Sequence, residues 1–211
     1  MKSKSFQKFV VGVDEVGRGP LAGPVAVGVV VFNTKNKNYL KIKEIFRGAR
    51  DSKKLTAKKR EEIFQKIKIA EKTHILRYIV RYESNKVIDK KGISFAIRSC
   101  IEKAFKNLNL KPKDTRVFLD GGLKAPKNFI FQKTIIKGDD KVLAISLASI
   151  VAKVSRDSFM TKISNKFPEY SFHAHKGYGT NIHRKAVKKH GFCPVHRLTF
   201  SRNIILNSNI D

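Results

Sequence analysis

The sequence of 211 residues has no tryptophan and only two cysteines, Cys100 and Cys193. Two lone thiols without a Cys-x-x-Cys pair argue against a disulfide framework and a zinc site, and they predict a reducing compartment. No apolar run reaches the length of about 18 residues that a membrane span needs. The polar, basic start from Met1 to Lys8 also lacks the apolar stretch of a signal peptide. We therefore predict a cytoplasmic protein without a membrane segment.

Acidic residues are scarce as well. There are 17 Asp and Glu residues against 45 Lys and Arg residues, which gives a formal net charge of +28 and a pI near 10.3. Such a charge predicts a polyanionic partner, most simply nucleic acid. A general enrichment in Lys, Ile and Asn across the chain is the alternative explanation. The scarcity makes each Asp in an apolar setting more informative.

Several catalytic motifs are absent too. There is no Gly-x-Ser-x-Gly and no Gly-x-x-x-x-Gly-Lys-Ser/Thr, which argues against a serine hydrolase and a P-loop nucleotidase. His173 and His175 alternate as two metal ligands might, but no third ligand follows at usable spacing, so zinc binding is not expected. His196, next to Arg197, is expected to be structural or to face a phosphate.

Apolar runs and capping residues predict an alternation of strands and helices in one domain. The predicted strands are 10–14, 24–32, 74–82, 115–120 and 133–137, and a short Gly/Pro turn makes the first two an antiparallel hairpin. The predicted helix caps are Thr56, Ser84, Asp139 or Asp140, and Thr180. The helix capped by Asp139 or Asp140 should be long and run to about Lys166. Another helix should cover 93–107. This alternation predicts an α/β sheet with helices on both faces.

The most informative stretch joins an apolar strand to two adjacent carboxylates, Asp14 and Glu15, followed by Gly17-Arg18-Gly19. Carboxylate oxygens are ligands suited to Mg²⁺ or Mn²⁺. Neighbouring strand residues point to opposite faces, so we expect the strand to break regular geometry at Glu15 if both side chains reach one site. The alternative is a strand that stops at a polar turn with both acids solvated.

Two more aspartates could complete a metal site. Paired divalent ions at a phosphodiester need roughly three to four carboxylates from different elements. Asp120 ends the fourth predicted strand, and Asp157 lies inside the long helix after an apolar run. Asp120 could instead belong to a simple Asp-Gly turn, and Asp157 could form an i, i+4 ion pair with Lys153.

Six blocks in order resemble bacterial ribonuclease HII. They are Val11–Pro24, Asp51–Leu55, Leu119–Gly121, Ala148–Asp157, His175–Thr180 and His196–Phe200. The resemblance implies an RNase H-like fold over residues 1–211, with a mixed five-stranded sheet flanked by helices and a helical C-terminal part over about 168–211. It also implies endonucleolytic cleavage of the RNA strand of RNA–DNA hybrids. Duplex DNA carrying a single ribonucleotide should be cut on the 5′ side of it, leaving 3′-hydroxyl and 5′-phosphate ends.

The same resemblance implies roles for individual residues. Asp14, Glu15, Asp120 and Asp157 match the acids that hold Mg²⁺ or Mn²⁺ in the family. Gly17-Arg18-Gly19 matches the segment that contacts the 2′-hydroxyl and phosphate at the RNA–DNA junction. Tyr178 matches a tyrosine that stacks on the adjacent deoxyribose, although a core tyrosine is the alternative. Further phosphate contacts are expected from Lys53, Ser149 and Lys153.

The resemblance implies hybrid and ribonucleotide-containing DNA as partners, and it raises a sliding clamp as another; we expect a monomer. Two other functions are kept in view. One is a non-catalytic binder of RNA–DNA hybrids, and the other is a Holliday-junction resolvase-like nuclease on the same fold. The first predicts salt-sensitive binding without cleavage. The second predicts cleavage of all-DNA junctions and gives no role to Tyr178.

Overall fold

Five strands form one mixed sheet at the centre of the protein. The computed structural model describes residues 7–49 and 54–201. The strands are β1 Phe9–Val16, β2 Val25–Asn33, β3 Leu76–Glu83, β4 Thr115–Asp120 and β5 Gln132–Ile135, in the spatial order β3-β2-β1-β4-β5. β2 is antiparallel to β1 and β3, whereas β4 is parallel to β1 and β5. The predicted mixed five-stranded sheet and the predicted first hairpin are confirmed.

Helices cover both faces of this sheet. They are α1 Ile42–Ile45, α2 Ala57–Lys72, α3 Asn85–Lys91, α4 Ile93–Asn107, α5 Gly138–Lys141, α6 Leu143–Lys166, α7 Phe172–His175 and α8 Asn181–His190. Eight of the nine residues of β2 are buried, as expected of a strand that is covered on both sides. α4 packs in the apolar cluster on one face, and α2 and α6 pack in the cluster on the other. The predicted two-sided covering is confirmed.

The long helix α6 lies directly against β1 and β2. A Cβ atom added at Gly12 would come within 2.0 Å of the Ala144 backbone, and one at Gly28 within 2.3 Å of the Ala148 carbonyl oxygen. Glycine is therefore required for this close approach. The contact brings the next turns of α6, with Ser149 and Lys153, to the end of β1.

Three of the four predicted helix caps are confirmed. The side chains of Thr56, Ser84 and Thr180 accept hydrogen bonds from backbone N–H groups three residues later. The predicted cap at Asp139 or Asp140 is wrong. Both residues lie inside the short helix α5, and α6 begins after Val142 without a side-chain cap.

The physical reason for this difference is a contact with β4. The Gly138 N–H donates to Asp120 Oδ1 at 2.7 Å, and Lys137 adopts left-handed backbone with a φ of 52°. The chain is thereby tied to the end of β4 and completes a separate turn before α6 begins.

The C-terminal part packs against the last turns of α6, as the predicted helical extension requires. α7, α8 and the 3₁₀ turn Pro168–Tyr170 share an apolar cluster with Leu21, Ala22 and Met160. An isolated antiparallel bridge joins Ala22 to His196. This region therefore also supports the segment that follows β1. Within the described ranges, no helix is long and apolar enough to cross a membrane.

Candidate metal and nucleic-acid site

A cavity of about 490 Å³ opens at the end of β1. Its lining consists of Asp14, Glu15, Val16, Gly17, Arg18, Gly19, Arg60, Asp120, Ser149, Lys153 and Tyr178. Nine of the eleven residues that the sequence analysis selected are among them. The other two are Asp157, which is not part of the lining, and Lys53, which lies outside the described residues.

The end of β1 brings both adjacent acids to this cavity without a break in the strand. β1 keeps its antiparallel register with β2 as far as the pair Val16–Ala26, so the predicted break at Glu15 is wrong. Pairing with β4 already stops at Val13–Leu119. The sheet is therefore open on one side of Asp14 and Glu15, and both residues reach the same cavity from a regular strand.

Asp14 is buried, and its charge is poorly compensated. The side chain is 2% exposed, and Oδ1 accepts a hydrogen bond from the Glu15 N–H at 2.8 Å. Oδ2 is buried and has no hydrogen-bond partner among the described residues. Burial raises the pKa of Asp14 well above its ordinary value, and the charges of Glu15 and Asp120 raise it further, while a hydrogen bond from Ser149 lowers it.

Glu15 and Asp120 line the same cavity as Asp14 and are held differently. Arg18 Nη1 donates to Glu15 Oε1 at 3.1 Å, and the arginine side chain is half exposed. Asp120 is buried and accepts the hydrogen bond from Gly138 at the end of β4. Three carboxylates from two strands thus face one cavity.

These carboxylates fit a hard divalent cation. A buried, unpartnered carboxylate oxygen beside two further carboxylates is a site that a positive ion would stabilise. Across residues 7–49 and 54–201, however, no three Asp, Glu, His or Cys side chains already converge on one point that could hold a metal. The donor set is present around the cavity, and metal binding requires the side chains to draw together.

Asp157 is engaged elsewhere. Its Oδ1 accepts a hydrogen bond from Lys153 Nζ at 3.0 Å, one helical turn away on α6. This is the i, i+4 ion pair that the sequence analysis kept as the alternative. Lys153, not Asp157, lines the cavity and lies 6.0 Å from the centre of the Tyr178 ring.

Two fully buried arginines hold the Gly17-Arg18-Gly19 turn from behind. Arg197 donates to the carbonyl oxygens of Gly17 at 2.7 Å and Arg18 at 3.0 Å, and to Gly23 at 2.9 Å. Arg156 lies against Gly17, where an added Cβ would come within 2.3 Å of its Nε atom. Gly17 also has a φ of 87°, so a side chain there would be strained.

This supporting role of Arg156 and Arg197 was not predicted from the sequence. For Arg156 the available signal was an arginine inside an apolar helical run, which must find acceptors when buried. Arg197 lies outside the helices, and its sequence surroundings gave no such signal. Arg60 on α2 is another lining residue that the sequence analysis missed. Its position one helical turn after the predicted cap Thr56, close to the Asp51–Leu55 block, is the sequence feature by which it could have been found.

Tyr178 is a surface residue of the cavity. Its side chain is 40% exposed, which excludes the alternative of a core tyrosine. The backbone carbonyl oxygen of Tyr178 itself accepts hydrogen bonds from the Thr180 N–H and from His183 Nδ1. These two hydrogen bonds hold the backbone that carries the ring, and the ring lines the same cavity as Gly17–Gly19.

Comparison with known proteins agrees with this architecture. The sequence matches the family Ribonuclease HII over residues 11–203. A ribonuclease HII of Caldicellulosiruptor bescii is 44% identical over 198 residues, which cover 94% of this chain and 89% of the relative. The crystal structure of ribonuclease H2 from Pyrococcus horikoshii has a TM-score of 0.69 and 31% identity, and it covers 96% of this chain and 100% of its own.

Two more distant structures share the fold. The ribonuclease HII in a complex with PCNA from Archaeoglobus fulgidus has a TM-score of 0.68 and 23% identity, covering 90% of this chain and 94% of its own. A Bst ribonuclease HIII in complex with Mn²⁺ has a TM-score of 0.66 and 15% identity, covering 98% of this chain and 72% of its own. At these identities the likeness concerns the fold alone. The family match and the close relatives together show that the chain belongs to the ribonuclease HII family and is a hydrolase of the RNase H type.

Proposed function

We propose that the protein is a metal-dependent endonuclease that cuts the RNA strand of RNA–DNA hybrids and cuts 5′ of single ribonucleotides in duplex DNA. Family membership supports the cleavage of hybrids. The observation that carries the proposal is Oδ2 of Asp14, which is buried and has no hydrogen-bond partner among the described residues, in a cavity that Glu15, Asp120, Gly17–Gly19 and Tyr178 also line. Acid ligands and a sugar-sized recognition surface are thus adjacent.

The proposed cofactor is Mn²⁺ or Mg²⁺, held by Asp14, Glu15 and Asp120. Asp157 would join them after separating from Lys153. Two bound ions would neutralise phosphate charge, activate water and stabilise the departing oxygen. The hard oxygen character of the donor set supports this choice of ions over zinc.

The protein's own residues would then position the phosphodiester. Lys153 and Arg18 place two cations at the cavity, where a phosphate oxygen can accept from them. Ser149 hydrogen-bonds to Asp14 and orients that carboxylate. In the hydrolysis, the oxygen of water bonds to phosphorus and the bond from phosphorus to the 3′-oxygen breaks. The products are a 3′-hydroxyl and a 5′-phosphate.

Recognition of the ribonucleotide is proposed to use backbone and a flat ring. The 2′-hydroxyl is the group that distinguishes RNA from DNA at one nucleotide. A Cβ at Gly19 would meet nothing within 4 Å, so the glycine leaves open space in which a sugar can approach the chain. Tyr178 offers an exposed aromatic face for the neighbouring deoxyribose, with little side-chain entropy to lose.

Lys53 is proposed as a further phosphate contact. The division into one catalytic domain with a C-terminal extension, the monomeric state, the sliding clamp as a partner and the cytoplasmic location stay predictions.

One cleavage assay tests the proposed function. The protein is incubated with three end-labelled substrates: duplex DNA with one ribonucleotide, an RNA–DNA hybrid, and an all-DNA four-way junction, each with Mn²⁺ or Mg²⁺ and then with EDTA. We expect a single cut 5′ of the ribonucleotide and multiple cuts in the hybrid, all abolished by EDTA. Binding without cleavage would favour the hybrid binder, and a cut junction would favour the resolvase-like nuclease.

A further inference from the structure

The two proposed recognition elements, Gly17–Gly19 and Tyr178, lie on separate segments of the chain, and a buried polar layer joins them. This layer consists of His183 on α8, His196 and Arg197. The three side chains are at most 2% exposed. His183 bonds the Tyr178 carbonyl oxygen and His196, the peptide bond joins His196 to Arg197, and Arg197 bonds the Gly17 carbonyl oxygen. The Leu21 and Ala22 N–H groups also donate to the Gly177 carbonyl oxygen at 2.8 and 3.3 Å, so the backbones of the two segments are joined directly as well.

The direction of each hydrogen bond in the layer follows from its chemistry. His183 Nδ1 lies 2.9 Å from the Tyr178 carbonyl oxygen, which can only accept, so Nδ1 carries the proton. Burial lowers the pKa of His183 to about 4, so the ring is neutral and its Nε2 accepts. The partner at 3.0 Å is His196 Nε2, which must then donate.

The far side of the His196 ring agrees with this assignment. Its Nδ1 accepts from the Cys193 N–H at 2.9 Å. The Cys193 carbonyl oxygen and Sγ are each 3.2 Å from Nδ1, but the backbone N–H is nearer and can only donate, so Nδ1 is the acceptor. Both histidines therefore have one tautomer in which every ring nitrogen is used.

Arg197 continues the layer to the other recognition element. The Arg197 N–H donates to the Leu21 carbonyl oxygen at 2.7 Å, and the guanidinium holds the Gly17 and Arg18 carbonyl oxygens. We infer that His183 and His196 are positioning residues that set the distance between Tyr178 and the Gly17–Gly19 turn. This inference rests on the proposed function, because it assigns the pair to the discrimination of a lone ribonucleotide.

Neighbouring rings hold the pair in place. The His175 ring stacks on His183 with centroids 4.5 Å apart and an angle of 16° between the planes. His175 Nε2 lies 2.8 Å from the Tyr170 carbonyl oxygen, and its Nδ1 accepts from the Gly177 N–H. The residue before Tyr178 and the carbonyl of Tyr178 itself are thus both bound by buried imidazoles. Phe172 packs edge-on against His183 and so limits the rotation of that ring.

A direct test of the hydrogen-bond directions uses the wild-type protein and needs no variant. Nitrogen-15 NMR of the imidazoles at neutral pH should show His183 protonated at Nδ1 and His196 protonated at Nε2. A coupling between the two Nε2 atoms should be detectable across their hydrogen bond. The opposite tautomer at His183 would overturn the inference, because Nδ1 could not then donate to Tyr178.

The test of positioning is the variant His183→Asn. The asparagine amide can still approach the Tyr178 carbonyl, but it is too short to reach His196. The variant therefore breaks the side-chain link through His196 and leaves the backbone bonds from Leu21 and Ala22 to Gly177 in place. We expect kcat/KM for a single ribonucleotide in duplex DNA to fall about 10- to 100-fold, as for a small misplacement of a bound group. Activity on a long RNA–DNA hybrid, which offers many alternative cutting positions, should fall much less.

Controls separate positioning from simple damage to the fold. His190→Asn replaces an exposed imidazole at the end of the same helix and should leave both activities unchanged. Tyr178→Ala should reproduce the selective loss, and adding His183→Asn to it should cause little further loss, since both act through one contact. Equal losses on both substrates, or fully additive losses, would show a merely structural role and overturn the inference.

The outcomes also separate this inference from the proposed function. Wild-type protein that cuts hybrid and single-ribonucleotide substrates upholds the function, and the variants then decide the role of the histidines. Wild-type protein that cuts neither substrate overturns the function and, with it, the role assigned to His183 and His196. If His183→Asn does not fold, as judged by circular dichroism, the tautomers of the wild-type protein still decide whether the link exists.

Discussion

Asp14 and Arg197 are both almost completely buried charged side chains, yet their surroundings are opposite. Arg197 donates to three carbonyl oxygens of the segment after β1. Asp14 is flanked by two further carboxylates, and one of its own oxygens has no partner among the residues described. A satisfied buried charge holds a structure together, whereas an uncompensated one is a place where a ligand of opposite charge binds. The acid cavity and the histidine–arginine layer behind it are therefore a binding site and its support.

The largest effect is expected when the uncompensated charge of Asp14 is removed. Asp14→Asn should reduce cleavage by two orders of magnitude or more, roughly the loss that follows removal of one electrostatic stabiliser. The same change should keep or raise thermal stability, because it removes a desolvated charge from between two other acids. Cleavage kinetics and calorimetry measure the two effects. Asp114→Asn, at an exposed position, is the matched control; full activity in Asp14→Asn would contradict the site assignment.

The next largest effect is expected when the fully hydrogen-bonded charge of Arg197 is removed. Arg197→Met should lower the free energy of unfolding by about 3 kcal/mol or more, since three carbonyl oxygens lose charged hydrogen-bond donors. Urea denaturation measures it, with the exposed Arg98→Met as control. If the two variants lost equal stability, Arg197 could not be the support that the comparison makes it.

A bound metal ion should stabilise the protein through the acid cavity and not through the histidine–arginine layer. Mn²⁺ at 100 times its dissociation constant should stabilise the wild-type protein by about 2.7 kcal/mol, and EDTA should reverse this. The gain should vanish in Asp120→Asn, which loses a carboxylate ligand, and persist in His183→Asn, which leaves the three carboxylates of the cavity unchanged. Thermal melting with and without MnCl₂ measures these shifts. An undiminished gain in Asp120→Asn would place the bound ion elsewhere.

Stability should depend on pH with opposite signs in the two regions. As the pH falls, the buried histidines should lower the free energy of unfolding and Asp14 should raise it. Burial lowers the pKa of His183 to about 4 and also lowers the pKa values of His175 and His196. Between about pH 4 and 6.5 the unfolded chain binds protons that these folded imidazoles do not, so stability falls as pH falls. One histidine contributes at most about 1.4 kcal/mol per pH unit. The raised pKa of Asp14 acts the other way, since the folded carboxyl binds a proton that the unfolded one has lost.

Variants resolve the two contributions. Asp14→Asn should steepen the fall in stability toward pH 4, because the opposing contribution is gone, and His183→Asn should flatten it. Urea denaturation at several pH values from 4 to 7 measures both slopes. Unchanged slopes in both variants would mean that neither group titrates as its surroundings imply.

Local features were predictable from the sequence where local chemistry decides them. Thr56, Ser84 and Thr180 cap helices because each side chain bonds a backbone N–H only three residues away. The valine-rich runs of β1 and β2 predicted buried strands. The ordered blocks predicted the fold and nine of the residues that line the cavity. The family membership found by comparison agrees with what those blocks implied.

Other features depended on which distant segments meet. The turn at Gly138 forms because Asp120, 18 residues earlier, accepts its N–H in place of the predicted cap. β1 continues past Glu15 because β2 still pairs with it there, while pairing with β4 has already ended. Arg197 reaches carbonyl oxygens more than 170 residues away in the chain. A hydrogen bond between residues so far apart leaves no periodic trace in the sequence, so the tertiary structure alone decided how the recognition elements are supported.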